Sequence, residues 1–118
     1  MNAVYATDDG TVRGFCTVDL PLAAYVAAAL SLVPVGVAKE AIAAGRLSEE
    51  LLDNIHEVFN VCARLLNEQS TKHVTLAEVA MGKGVTLKTS ANSTYRDLHF
   101  DLAVSGYGNG HLELQYFA

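Results

Sequence analysis

The chain has 118 residues, of which 51% are hydrophobic and 18% charged, and its formal net charge is −5. That length suits a single domain, and the apolar content excludes a disordered segment, which could not bury enough surface to offset the entropy lost on folding. Eight Lys and Arg are scattered among thirteen Asp and Glu, so no basic stripe is available to neutralise phosphates, and nucleic acid is not expected as a partner.

In chain order, residues 4–7 and 12–18 read as strands joined at Asp8-Asp9-Gly10. An Asp-Gly dipeptide between β-rich runs signals a hairpin because Gly accepts positive φ. The opening Met1-Asn2-Ala3-Val4-Tyr5 lacks the basic segment and apolar run of a secretory signal, so a cytoplasmic location is expected. Asp19 offers an N-cap carboxylate and Pro21 fits a first helical turn, which predicts a helix to about Val33, stopping before Pro34. Residues 20–38 carry no charge and nearly reach the length of a membrane span, but Pro34, Gly36 and Ser31 interrupt them. Two short buried helices are the expectation, without membrane contact. The second covers residues 37–44 and ends on Gly45, a natural helix terminator.

Ser48 opens the next helix, with Glu49 and Glu50 at its positive end. Leu52, Ile55, Phe59, Cys62 and Leu66 recur every three or four residues and predict one buried face over residues 48–68. Beyond Ser70 the texture turns to strands. Residues 74–80 and 85–89 flank Gly82-Lys83-Gly84, a second hairpin signal. Leu98, Phe100, Leu102 and Val104 alternate with His99, Asp101, Ala103 and Ser105, the pattern of a half-buried strand. Leu112, Leu114 and Tyr116 mirror it after the loop at Gly106–Gly110. The expected fold is therefore α+β: one domain, residues 1–118, with a long central helix packed on a mostly antiparallel sheet.

Winding the long helix at about 100° per residue puts Asp53, Glu57, Asn60, Arg64 and Glu68 on the side opposite the apolar face. Glu57 and Asn60 stand one turn apart, so a carboxylate and a carboxamide can meet the same partner. Val61 lies in this polar stripe, as a docking surface would use it. Spacing alone leaves two readings open, the solvated side of an amphipathic helix and a binding face. Cys16 and Cys62 are the two thiols, and both read as core residues. His56, His73, His99 and His111 lie on different elements without HxxxH or HxH spacing, so no metal site is expected. His99 and His111 approach one another across the last hairpin only as surface histidines.

Glu57-Val58-Phe59-Asn60, a Glu-x-x-Asn motif on a long helix, resembles the signature of the CheC/CheX/FliY phosphatases of bacterial chemotaxis. Gly14-Phe15-Cys16-Thr17-Val18-Asp19 resembles the strand that precedes an Ala-rich helix in that family, and Val74-Thr75-Leu76 resembles the strand leaving the motif helix. The likeness runs from about Asp9 to Ala80. A single Glu-x-x-Asn makes the CheX-like branch the nearer match, and Cys62-Ala63-Arg64-Leu65-Leu66 stands where members usually carry a Gly-Asn pair.

The resemblance implies a CheC-like fold and a hydrolase acting on the phosphoaspartate of a CheY-like response regulator receiver domain. Glu57 would engage a receiver lysine and Asn60 would orient the attacking water, with Asp53, Val61 and Arg64 as partner-binding residues. It implies no cofactor of this chain's own, because the response regulator would bind the Mg. The alternatives are a non-catalytic binding module of the same fold, docking a receiver or flagellar-type partner, and a subunit that acts through oligomerisation alone. Exposed strand edges in a small sheet leave room for a homodimer under each reading.

Overall fold

A computed structural model describes residues 1–69, 73–80 and 95–117. The elements in order are β1 (Asn2–Ala6), β2 (Val12–Val18), α1 (Leu20–Leu30), α2 (Val35–Ala44), α3 (Glu49–Gln69), β3 (Thr75–Ala80), β4 (Tyr95–Val104) and β5 (Gly108–Phe117). The five strands form one sheet in the order β3-β1-β2-β5-β4, every neighbour antiparallel. The expected α+β class and antiparallel sheet are present. The expected strand at residues 85–89 and its Gly82–Gly84 turn lie outside the described residues.

Local chemistry sets the helix limits. Asp19 caps α1 through Oδ1, which accepts from the Leu22 amide at 2.9 Å, while Oδ2 accepts from the His111 amide at 3.0 Å. One carboxylate thus satisfies an orphan amide of the helix and ties α1 to β5. The helix ends three residues before the expected Val33. Leu32 enters the left-handed region at φ 55°, its amide donates to the Ala29 carbonyl at 3.2 Å and the Val33 amide to the Ala28 carbonyl at 2.9 Å. These two bonds close off the helix carbonyls where Gly would ordinarily stand. Gly45 ends α2 at φ 74°, as expected. The Ser48 hydroxyl accepts from the Leu51 amide at 3.3 Å and caps α3.

The core lies between the sheet and one layer of helices. Alternation in β1, β2 and β5 sends Ala3, Tyr5, Cys16, Val18, Leu114 and Tyr116 into it, against Leu22, Ala23 and Ala27 of α1 and Leu51, Ile55, Phe59 and Leu66 of α3. The alanines of α1 let it lie close to the sheet. Gly110 continues that logic, since a Cβ there would stand 2.4 Å from the Leu22 Cβ and 2.7 Å from its Cα.

Three expectations need correction. First, α3 is long but not central: it packs on α1 and over the β3 and β2 side of the sheet. Second, its buried residues include Leu51 where Leu52 was expected, while Leu52 and Cys62 are only half-buried. Contact with both α1 and the sheet widens the buried arc beyond one narrow stripe. Third, β4 is not half-buried. Leu98, Phe100 and Leu102 stay 40–43% exposed, because β4 is the sheet margin among the described residues and α1 covers only its Val104 end. In the uncharged stretch 20–38, α1 and α2 are separate, and among the described residues no helix is long and apolar enough to cross a membrane.

Candidate functional site

The outer side of α3 is held in place from behind. The Tyr5 hydroxyl donates to the Phe59 carbonyl at 2.7 Å inside the core, and burial raises the Tyr5 pKa far above its ordinary value. The Asn54 amide donates to the Ala27 carbonyl at 2.9 Å and to the Ser31 hydroxyl at 2.8 Å, clamping α3 to the end of α1. Near the other end, Asn67 exchanges two hydrogen bonds with the Val74 backbone, at 2.8 and 3.1 Å. The helix thus has a fixed rotation about its axis, and the polar stripe has a fixed direction.

Asp53, Glu57, Asn60, Val61 and Arg64 are all exposed on that stripe. The side chains of Glu57 and Asn60 have no hydrogen bond or ion pair with other described residues, and no ion pair joins Arg64 to Glu57 among them. Both groups are therefore available to a partner without a prior interaction to break. Beside Glu57 lies an apolar recess of about 360 Å³, lined also by Leu30, Val58, Val61 and Cys62. Leu30 and Val61, 54% and 62% exposed, form its rim. A carboxylate and a carboxamide at the border of an apolar hollow is a usable docking arrangement, since the hollow supplies area and the polar pair supplies orientation.

The recess floor carries chemistry that sequence reading assigned only to the core. Cys16 of β2 and Cys62 of α3 face one another as neighbouring thiols. The neighbouring Cys16 thiol pulls Cys62 below its ordinary pKa against the opposing effect of burial, and the Cys62 thiol, followed by burial, pushes Cys16 up. Both thiols are free.

Of two further features, the first escaped sequence reasoning and the second, the approach of two histidines, was expected from it. A groove of about 460 Å³ runs between Leu65 of α3 and the apolar residues of β4 and β5, including Leu98, Phe100, Leu102 and Leu112. The alternation of β4 gave the residues but not their exposure. On the opposite face of the same hairpin, His99 and His111 do meet, with His99 Nδ1 3.2 Å from His111 Nε2. His56 on α3 and His73 before β3 are exposed and lie apart from that pair. The register Asp101↔His111 and His99↔Glu113 could have been inferred from the hairpin, had its turn been placed at 105–107.

None of the known family models, curated proteins or solved structures compared with the chain matches it.

Proposed function

We propose that the chain is a CheX-like phosphatase that dephosphorylates the phosphoaspartate of a CheY-like receiver domain in the cytoplasm. The observation that carries this reading is the presentation of Glu57 and Asn60, one turn apart, exposed and unpartnered among the described residues, on a helix whose rotation is fixed by Tyr5, Asn54 and Asn67. Glu57 docks by pairing with a receiver lysine. Asn60 then reaches toward the acyl phosphate, its side-chain oxygen accepting from the attacking water and its amide donating near the phosphoryl oxygens. Water attacks phosphorus in line, the bond to the aspartyl oxygen breaks, and inorganic phosphate and the receiver carboxylate are the products. Phosphoryl transfer of this kind needs placement and charge stabilisation more than a protein nucleophile. The Mg belongs to the receiver, so the chain supplies no metal to this step. Asp53, Val61 and Arg64 extend the contact along α3, with the apolar recess taking a side chain of the partner.

A binding module of the same fold is the second reading. It is favoured by exposed Arg64, one turn beyond Asn60, where a long cation can hold a phosphorylated partner without positioning water.

The test is phosphate release from a purified phosphorylated receiver domain in Mg buffer, with catalytic amounts of the chain. Accelerated release with turnover is expected. Asn60→Ala should lose roughly 10²-fold or more of the acceleration while still binding, because the amide acts in the transition state. Glu57→Ala should weaken binding and rate together. Asn60→Asp keeps the size but sets a negative charge beside the phosphoryl group, so it should be at least as slow as Asn60→Ala. Binding without acceleration selects the module, and an Asn60→Ala protein as fast as the parent removes the motif assignment.

A further inference from the structure

The helix-free face of the β4–β5 hairpin gathers groups that the α3 site does not use. Asp97, His99 and Asp101 of β4 face Gln115, Glu113 and His111 of β5 across the register. His99 Nε2 lies 3.1 Å from Asp97 Oδ1 and 3.8 Å from Glu113 Oε1. One ligand atom from each of these three residues falls within 4.8 Å of the other two.

From this geometry we infer a divalent transition-metal site, zinc first among the candidates, with His99 Nε2, one Asp97 oxygen and one Glu113 oxygen as ligands. Zinc bound to nitrogen and oxygen at about 2.0–2.2 Å sets neighbouring tetrahedral ligands about 3.4 Å apart. The separations of 3.1 and 3.8 Å bracket that spacing. A mixed imidazole and carboxylate set suits a borderline ion, whereas Mg or Ca would favour oxygen alone.

The orientation of His99 is set by what lies behind it. Its Nδ1 faces His111 Nε2 at 3.2 Å, and His111 Nδ1 is 3.0 Å from Asp101 Oδ1. With an ion on His99 Nε2, one proton arrangement completes the relay behind it: Nδ1–H of His99 donates to His111 Nε2, and Nδ1–H of His111 donates to Asp101. The His99 Nε2 lone pair is then free for the ion between the two carboxylates, the relay found behind metal-bound histidines. The rings stack with centroids 5.4 Å apart, which restrains both side chains. Three carboxylates share this patch with the two imidazoles, and no Lys or Arg ion pair with them is present among the described residues. A dication relieves the repulsion between Asp97 and Glu113 and leaves a fourth position open to water. The β-ladder fixes the spacing before any ion arrives.

Calorimetric titration of zinc chloride into the full chain tests this, with cobalt absorption as a second readout of four-coordinate geometry. One saturable ion per chain is expected. His99→Ala, and separately the Asp97→Asn and Glu113→Gln pair, should abolish that binding. His111→Ala should weaken it about 10–100-fold. His56→Ala and His73→Ala should leave it unchanged. All these side chains lie at the surface or near it, and far-UV circular dichroism verifies that each variant is folded. No saturable binding by the parent overturns the site. So does binding that survives His99→Ala, or binding that disappears with His73→Ala while His99 is intact.

Discussion

The two sides of the sheet's helix-facing surface obey the same sequence pattern and reach opposite outcomes. In β1 and β2, alternate residues Ala3, Tyr5, Cys16 and Val18 are buried under α1 and α3. In β4, alternate residues Leu98, Phe100 and Leu102 point the same way and stay about two-fifths exposed. Alternation states which face is apolar, and burial depends on whether a second layer lies over it. The covered side is where stability should reside. The margin is where a partner or second copy would find apolar surface without disturbing the core.

The largest expected effect tests the covered side. Phe59 is fully buried on the inner side of α3, and Phe59→Ala should cost roughly 3–5 kcal/mol in urea unfolding. A near-parental midpoint would mean that α3 contributes its packing elsewhere. The next substitution probes where cover ends. Gly110→Ala directs a methyl group at the Leu22 backbone, and α1 must move or β5 must bend. A loss of about 1–3 kcal/mol is expected, whereas an unchanged midpoint would show α1 to be more loosely seated than its contacts with β5 imply.

Tyr5→Phe sharpens the covered side further, because it removes one hydroxyl without opening a cavity. Loss of the bond to the Phe59 carbonyl should cost about 1 kcal/mol at neutral pH. The pH dependence follows from the raised Tyr5 pKa, caused first by burial. The unfolded chain releases the phenolic proton near pH 10 and the folded protein retains it well above that. Folding thus binds the proton more tightly at high pH, and the Tyr5 contribution to stability is intact below pH 10 and declines as pH rises past it. In Tyr5→Phe that part of the alkaline decline should be missing, as equilibrium unfolding between pH 8 and 11 would reveal. If the parent and Tyr5→Phe lose stability in parallel, Tyr5 is not the group responsible.

The smallest effect tests the margin itself. Phe100→Ala removes as large a side chain as Phe59→Ala, yet it should cost less than about 1 kcal/mol in the monomer. A loss close to that of Phe59→Ala would show that β4 is covered in solution. Repeating the measurement over a range of protein concentrations would then distinguish a second copy from the chain's own segments, because only the former makes the effect concentration-dependent.

Much of the fold was legible locally. The β2 limits, the Gly45 stop, the Ser48 cap and the outward direction of Asp53, Glu57, Asn60 and Arg64 follow from turn chemistry and helical period. Those signals act within a few residues, where backbone sterics and hydrogen bonding dominate. The early end of α1 was not legible, since a helix stop at Leu32 runs against the usual preference for Gly and is held by the chain that follows. The exchange of Leu51 for Leu52 in the core had the same origin, a second neighbour widening the buried arc.

For the candidate sites, sequence by itself determined which side chains share an element and a face: Glu57 with Asn60 on α3, and Asp97, His99 and Asp101 on β4. Only the tertiary structure decided what stands beside them. The Leu30 rim reaches Glu57 because α1 packs on α3, Cys16 reaches Cys62 because β2 passes under that helix, and Glu113 reaches His99 because the hairpin register pairs them. Helical and strand periods set direction within one element through fixed backbone geometry. Proximity between elements depends on how their apolar faces find each other, and that is a property of the whole packed chain.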